Sequence, residues 1–235
     1  MIGEVDEFKR AFDVEVVTTY GMTETGPFLF HPTDGLPNPQ ACGKVRPGYE
    51  VRVVDEFDRP VGPNTLGEMI VRTSEPWMMN SGYWNRAEAT AATWRNGWFH
   101  TGDGFKYDED GFFYFVDRLK DTVRARGENI SSFEVEALVV QHPDVSEVAA
   151  VGLPSPMGED DLKIFVIPKS DRKIDERELF YFLQGTMPKF MLPRYIELVD
   201  EFPRTPNLKV MKRVLRGRGV TQSTWDRENM ADVRR

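Results

Sequence analysis

The apolar positions of this chain keep one rhythm in the first half and another in the second. Ile2, Val5, Phe8 and Phe12 recur at spacings that share a helical face, so residues 1–13 read as the end of a helix. The β-branched run at 14–19 predicts a buried strand. Period-two alternation then marks strands at 49–54 and 68–72, separated by turn residues at 60–67. A short helix is expected over 86–94, and Asp110-Gly111, between Phe105 and Tyr107 on one side and 112–116 on the other, predicts a hairpin. Beyond residue 130, helices and strands alternate. Ser131-Ser132-Phe133-Glu134 reads as a capping box stapled by Ile130 and Val135, opening a helix that His142-Pro143 should end. Strands are expected at 145–153 and 162–168, a second capped helix from Asp175, a strand at 194–199 and a short helix at 210–215. That order describes a small α+β domain with a three-strand core.

The rhythm changes at Val116-Asp117-Arg118-Leu119-Lys120-Asp121-Thr122. A short charged segment between two compact bodies, with no disordered linker, reads as a hinge. The expected organisation is a β-rich body over 1–117, a hinge at 118–121, an α+β domain over 122–217 and a polar tail over 218–235, mobile from Val220 onward. A length of 235 residues accommodates two such domains, and a net charge of -8 argues against a surface that coats nucleic acid or anionic membrane. Cys42 is the only cysteine, which excludes an internal disulfide and fits a reducing, cytoplasmic compartment. No apolar run approaches the roughly 18 residues of a membrane span.

Three stretches concentrate usable chemistry. Tyr20-Gly21-Met22-Thr23-Glu24-Thr25-Gly26-Pro27 places an aromatic face, hydroxyls and a carboxylate beyond a strand, where α/β sheets commonly bind ligands. Trp98-Phe99-His100-Thr101-Gly102-Asp103-Gly104 reads as a second polar turn whose Asp103 could accept two ribose hydroxyls. Pro203-Arg204-Thr205-Pro206-Asn207-Leu208-Lys209 presents Lys209 on a proline-framed loop, a point charge for a carboxylate or phosphate. Taken singly, each also has a plain structural reading: a packed tyrosine in a polar turn, an aspartate bonding its own backbone, a solvated lysine.

Their order is more specific. Tyr20-Gly21-Met22-Thr23-Glu24, then Gly67-Glu68 to Tyr83-Trp84, Thr101-Gly102-Asp103, Asp117-Arg118 to Gly127-Glu128-Asn129-Ile130, and Lys209 resemble the C-terminal motifs of adenylate-forming enzymes, the AMP-binding superfamily of acyl-CoA synthetases. The run at 112–118 and Gly127-Glu128-Asn129-Ile130-Ser131 resemble the crotonobetaine/carnitine-CoA ligase group in particular. The resemblance implies the β-rich C-terminal part of a large adenylate-forming domain followed by a mobile α+β domain. It implies a reaction of a small carboxylic acid with ATP to give an acyl-adenylate and pyrophosphate, then displacement of AMP by coenzyme A. Tyr20 would stack on adenine, within a binding motif that includes Gly21 and Met22. Thr23 would bind the α-phosphate and Glu24 hold Mg²⁺, while Asp103 takes the ribose hydroxyls with help from Arg118. Lys209 would bridge substrate carboxylate and α-phosphate, Gly127 would line the thiol tunnel, and Lys120 would be the pivot.

The sequence departs from the pattern in four places. It contains no Ser/Thr/Gly-rich loop ending in lysine ahead of Tyr20, so the resemblance implies the C-terminal portion of a ligase, inactive alone, with apolar faces exposed for association. Lys120 stands where aspartate is common, Leu208 where glycine usually precedes the lysine, and Ala125-Arg126 where the lead-in to Gly127 is usually small. Two other readings remain: a non-catalytic interaction module, and one half of a split ligase.

Overall fold

A computed structural model describes residues 2–14, 16–31, 40–125, 127–156 and 158–229. The chain divides into two compact units, Met1–Leu119 and Lys120–Arg235. Arg126 and residues 230–235 lie outside the described residues.

The first unit opens with helix α1 (Ile2–Phe12). Of the described residues in the expected buried strand at 14–19, only Thr19 lies in a strand: Val14 and Val17 are 44% and 59% exposed, and regular pairing begins at Thr19. Strands β1 (Thr19–Met22), β2 (Gly26–Phe30) and β3 (Lys44–Val45) make an antiparallel sheet. Tyr20, Gly21 and Met22 therefore lie within a strand, and only the segment after Met22 turns. Gly21 is required there, because a Cβ at that position would sit 2.2 Å from the Gly26 carbonyl oxygen.

The second sheet of this unit is built on β4 (Tyr49–Val54), β5 (Gly67–Thr73), β6 (Trp94–Arg95), β7 (Trp98–Tyr107) and β8 (Phe113–Arg118), with α2 (Ala87–Thr93) before β6. β5 runs antiparallel to both β4 and β7, and β8 pairs with β7. The aromatic positions of the hairpin explain this core: Phe99, Phe105 and Phe113 bury against Phe28, Val53, Met69 and Val71. Each such side chain contributes about 1.5–3 kcal/mol by leaving water. The stretch from Trp98 to Gly104 is thus the body of a ten-residue strand and not a turn.

In the second unit, the short hairpin β9 (Val123–Ala125) and β10 (Glu128–Ile130) leads into α3 (Ser132–Val139). The Ser131 N-cap forms as expected, its Oγ accepting from the Glu134 N–H at 3.1 Å, and the helix ends before His142. Strands β11 (Val145–Pro154) and β12 (Asp160–Pro168) pair antiparallel; α4 (Glu176–Thr186), capped by Asp175, then crosses to β13 (Tyr195–Leu198), parallel to β12. Helix α5 (Lys212–Gly217) follows. Alternation along β11 and β12 fills both faces of the sheet: Ala150, Ile164 and Val166 pack with Val135, Leu179 and Leu183, whereas Ala149, Val151 and Phe165 pack with Phe202 and Leu215.

The expected mobile tail is partly a strand. Trp225–Asp226 forms β14 and pairs antiparallel with β13, so the sheet has four strands rather than three. Trp225 packs on Phe180 with ring centroids 5.4 Å apart, giving the polar segment an apolar anchor.

Candidate functional site

In the first unit the site is built around one buried carboxylate. Opposite Met69 of β5, strand β7 carries extra residues: Ile70 pairs with His100, but Glu68 pairs with Gly104. The bulge is pinned by Thr101 Oγ1 donating to the Met69 carbonyl at 2.6 Å and by the Gly102 N–H donating to Glu68 Oε1 at 3.0 Å. Gly102 adopts φ +70°, a left-handed conformation that glycine takes without a Cβ penalty. Asp103 follows, only 6% exposed, and its Cα partner in the β7–β8 ladder is Arg118, whose Nε lies 3.7 Å from Asp103 Oδ1.

Tyr20 reaches the same carboxylate from β1 and donates its hydroxyl to Asp103 Oδ2. Its ring is braced by Phe28 and Phe105, with centroids 5.4 and 4.8 Å away at interplanar angles of 86° and 67°. Burial, and then the Asp103 charge, push the Tyr20 phenol well above its ordinary range, so it stays protonated and donates. The structure thereby brings Tyr20, Asp103 and Arg118 together from three separate strands.

Next to this group the chain turns tightly at Thr25, whose N–H donates to the Met22 carbonyl at 3.2 Å while its hydroxyl accepts from the Met22 N–H at the same distance. Thr23 is exposed at the turn, and Glu24 is half-buried. Tyr83 donates its hydroxyl to Glu24 Oε1 at 2.9 Å; burial, followed by this carboxylate, raises the Tyr83 phenol above its ordinary value. The Asn80 N–H holds the Glu24 carbonyl at 2.7 Å, and Tyr49 donates to the Thr25 carbonyl at 2.7 Å. Tyr49, Asn80 and Tyr83 position the turn. Sequence reading assigned them no such role, since contacts this distant along the chain leave no local signal. Met22, Tyr83, Thr101 and Gly102 share a cavity of about 310 Å³ with Glu68 and His100.

Mg²⁺ fits Glu24 in one respect: a nucleotide-bound Mg²⁺ needs only one or two protein carboxylates, phosphates and water supplying the remaining ligands. Among the described residues no cluster of three or more His, Cys, Asp or Glu side chains forms an all-protein metal cage.

The second unit carries the other predicted residues. Gly127 lies exposed between β9 and β10 at φ +78°, its N–H directed at the Glu159 carboxylate at 3.0 and 3.2 Å. Lys209 is exposed on a loop closed by Thr205: the Thr205 N–H donates to the Lys209 carbonyl at 2.9 Å, and the Lys209 N–H donates to Thr205 Oγ1 at 3.1 Å. Leu208 occupies the left-handed region at φ 64° and is 73% exposed. Arg204 holds its carbonyl at 3.0 Å and pairs with Glu147. Lys120 is exposed at the start of this unit.

Comparison with known proteins gives these geometries a family. The AMP-binding enzyme model matches residues 3–84, and the AMP-binding enzyme C-terminal domain model matches residues 134–209. Crotonobetaine/carnitine–CoA ligase of Salmonella typhimurium is 34% identical over 216 residues, covering 91% of this chain and 42% of that protein. Among solved structures, ATP-bound MatB from Rhodopseudomonas palustris superposes with a TM-score of 0.79 at 31% identity, over 93% of this chain and 43% of that one. The O-succinylbenzoate coenzyme A synthetase MenE of Bacillus subtilis, in complex with AMP, gives 0.76 at 27% identity, over 89% and 42%. The chain thus spans less than half the length of the relatives it matches. It belongs to the adenylate-forming, AMP-binding enzyme superfamily that includes the acyl-CoA ligases.

Proposed function

We propose that this chain supplies the ribose-recognition and lysine-bearing parts of an ATP-dependent acyl-CoA ligase. The observation that carries this reading is the meeting of Tyr20, Asp103 and Arg118 around a buried carboxylate. Asp103 would accept the ribose hydroxyls, with the Arg118 guanidinium balancing its charge. Tyr20 would stack on adenine, and the exposed Thr23 hydroxyl would bind the α-phosphate. Mg²⁺, held by Glu24, would screen the negative charge of the triphosphate.

In the first half-reaction an oxygen of the substrate carboxylate attacks the α-phosphorus, and pyrophosphate leaves. Lys209 would neutralise charge developing on both groups; electrostatic contacts of this kind contribute about 3–4 kcal/mol to a transition state. In the second, the sulfur of coenzyme A, its proton released, attacks the acyl carbon and AMP departs. Gly127 would let the pantetheine arm approach without a side chain in the way. The two steps place different groups beside one carbonyl, so the second unit would rotate about Lys120 between them.

The sequence has no Ser/Thr/Gly-rich phosphate loop, which supports a chain that recognises AMP but does not complete adenylation alone. Calorimetric titration with AMP should give a measurable affinity that Asp103→Ala reduces by at least tenfold and that 2′,3′-dideoxy-AMP shares only weakly. Wild-type chain with no affinity for AMP would remove the ribose reading and leave a non-catalytic interaction module. Pyrophosphate release by the isolated chain, with ATP, coenzyme A and short-chain acids, would overturn the proposal that it does not complete adenylation alone. Release only after adding a second polypeptide would establish a split ligase.

A further inference from the structure

The connector between the two units is held at both ends by hydrogen bonds that each unit makes within itself. In the first unit, the Leu119 N–H donates to the Gly102 carbonyl at 3.0 Å, immediately beside Asp103. In the second, Arg216 Nη2 donates to the Lys120 carbonyl at 3.0 Å and lies 3.7 Å from Asp121 Oδ1. Arg216 belongs to α5, which starts just beyond the Lys209 loop. That helix is itself fixed: Lys212 Nζ donates to Ser132 Oγ and pairs with Glu136 Oε1, both at 2.7 Å, and Leu215 is fully buried.

A peptide carbonyl held by the helix moves with the helix, and an N–H held by a strand moves with the strand. The peptide planes themselves resist twisting. Free rotation is therefore confined to the backbone torsions between the Leu119 N–H and the Lys120 carbonyl. The planar guanidinium suits the task, since it can face a carbonyl and a carboxylate at once.

We propose that Arg216 is a positioning residue that sets the pivot. It makes the Lys120–Asp121 peptide part of the second unit, so that rotation about the preceding torsions carries α5 and Lys209 as one rigid body. This inference rests on the proposed rotation at residues 118–121.

Lysyl endopeptidase, which cuts at the lysine carbonyl, tests both ideas on the full chain. Wild type should be cut first after Lys120. Arg216→Ala should raise that initial rate about fivefold, the effect of losing one hydrogen bond from a charged donor at a partly exposed site. Cleavage after Lys169, Lys173 and Lys189 should not change, and Arg213→Ala, which removes a neighbouring charge, should leave every rate alone. An unchanged rate after Lys120 in Arg216→Ala, or a parallel rise at all these lysines, would overturn the inference while leaving the hinge standing. Wild-type cleavage that spares Lys120 and begins elsewhere would overturn the hinge and the inference together.

Discussion

Replacing Lys163 by methionine should unfold the second unit far more readily than its size suggests. Lys163 lies on β12 with no exposed surface, and its three ammonium protons are all used: Glu197 Oε2 at 2.6 Å, the Gly219 carbonyl at 2.7 Å and Thr224 Oγ1 at 2.9 Å. Glu197, 4% exposed, otherwise receives hydroxyls from Thr221 at 2.8 Å and Thr224 at 2.5 Å. Methionine fills similar volume, so packing costs less than about 1.5 kcal/mol. The larger cost is the buried carboxylate left without its cation, about 3–5 kcal/mol. Hydrogen exchange of peptides covering 160–168 and 220–227 reads this out directly, because only exchange in the second unit counts. Protection should fall by roughly two to four orders of magnitude in Lys163→Met. The double variant Lys163→Met/Glu197→Met, which removes both charges, should recover most of it. A single variant less than tenfold altered, or a double variant no better protected than the single, would refute the argument that the unpaired charge dominates.

The same pair predicts an acid limit. Burial alone would raise the Glu197 carboxyl, but hydrogen bonds from Lys163, Thr224 and Thr221 overcome it and hold the group below its ordinary value of 4.5. Between those two values the unfolded chain binds more protons, so this stabilisation is complete above about pH 4.5 and is lost as pH falls through the folded value; Glu197→Gln should flatten that slope in acid denaturation. Leu208→Gly should stabilise the second unit by about 1 kcal/mol in urea unfolding, because φ 64° burdens leucine and suits glycine. Ser131→Ala removes the acceptor for the Glu134 N–H and should cost about 1 kcal/mol by the same measurement. Gly21→Ala should disrupt pairing of β1 with β2, visible as lost exchange protection at 19–30, since its Cβ meets backbone at 2.2 Å.

Local rules carried the sequence reading a long way in the second unit. Both helix caps form at Ser131 and Asp175, because capping depends on residues within one turn of each other. The hairpin after β7 was also legible from Asp110-Gly111 and its aromatic flanks. The β-branched run at 14–19 misled, because propensity cannot say whether a neighbouring strand is in reach; Val17 is left largely exposed. The polar segment near the end misled in the opposite direction. Its composition suggested mobility, yet Trp225 and the hydroxyls of Thr221 and Thr224 tie it to Phe180, Lys163 and Glu197. Lys163 gave no warning either: on the sequence it is one charged residue in an apolar strand, and its partners lie 34 to 61 positions away.

The site shows the same division in a sharper form. Motif order singled out Tyr20, Asp103 and Arg118 as candidates, but a polar-turn reading of 98–104 would have left Asp103 at the surface. The bulge opposite Met69 instead keeps it inside the sheet, where Tyr20 and Arg118 can reach it. That bulge also leaves the Gly102 carbonyl to receive the Leu119 N–H, so one irregularity both buries the carboxylate and clamps the end of the connector. A substitution that straightens β7 should therefore alter the proposed ribose contact and connector cleavage together, whereas Arg216→Ala should alter cleavage alone.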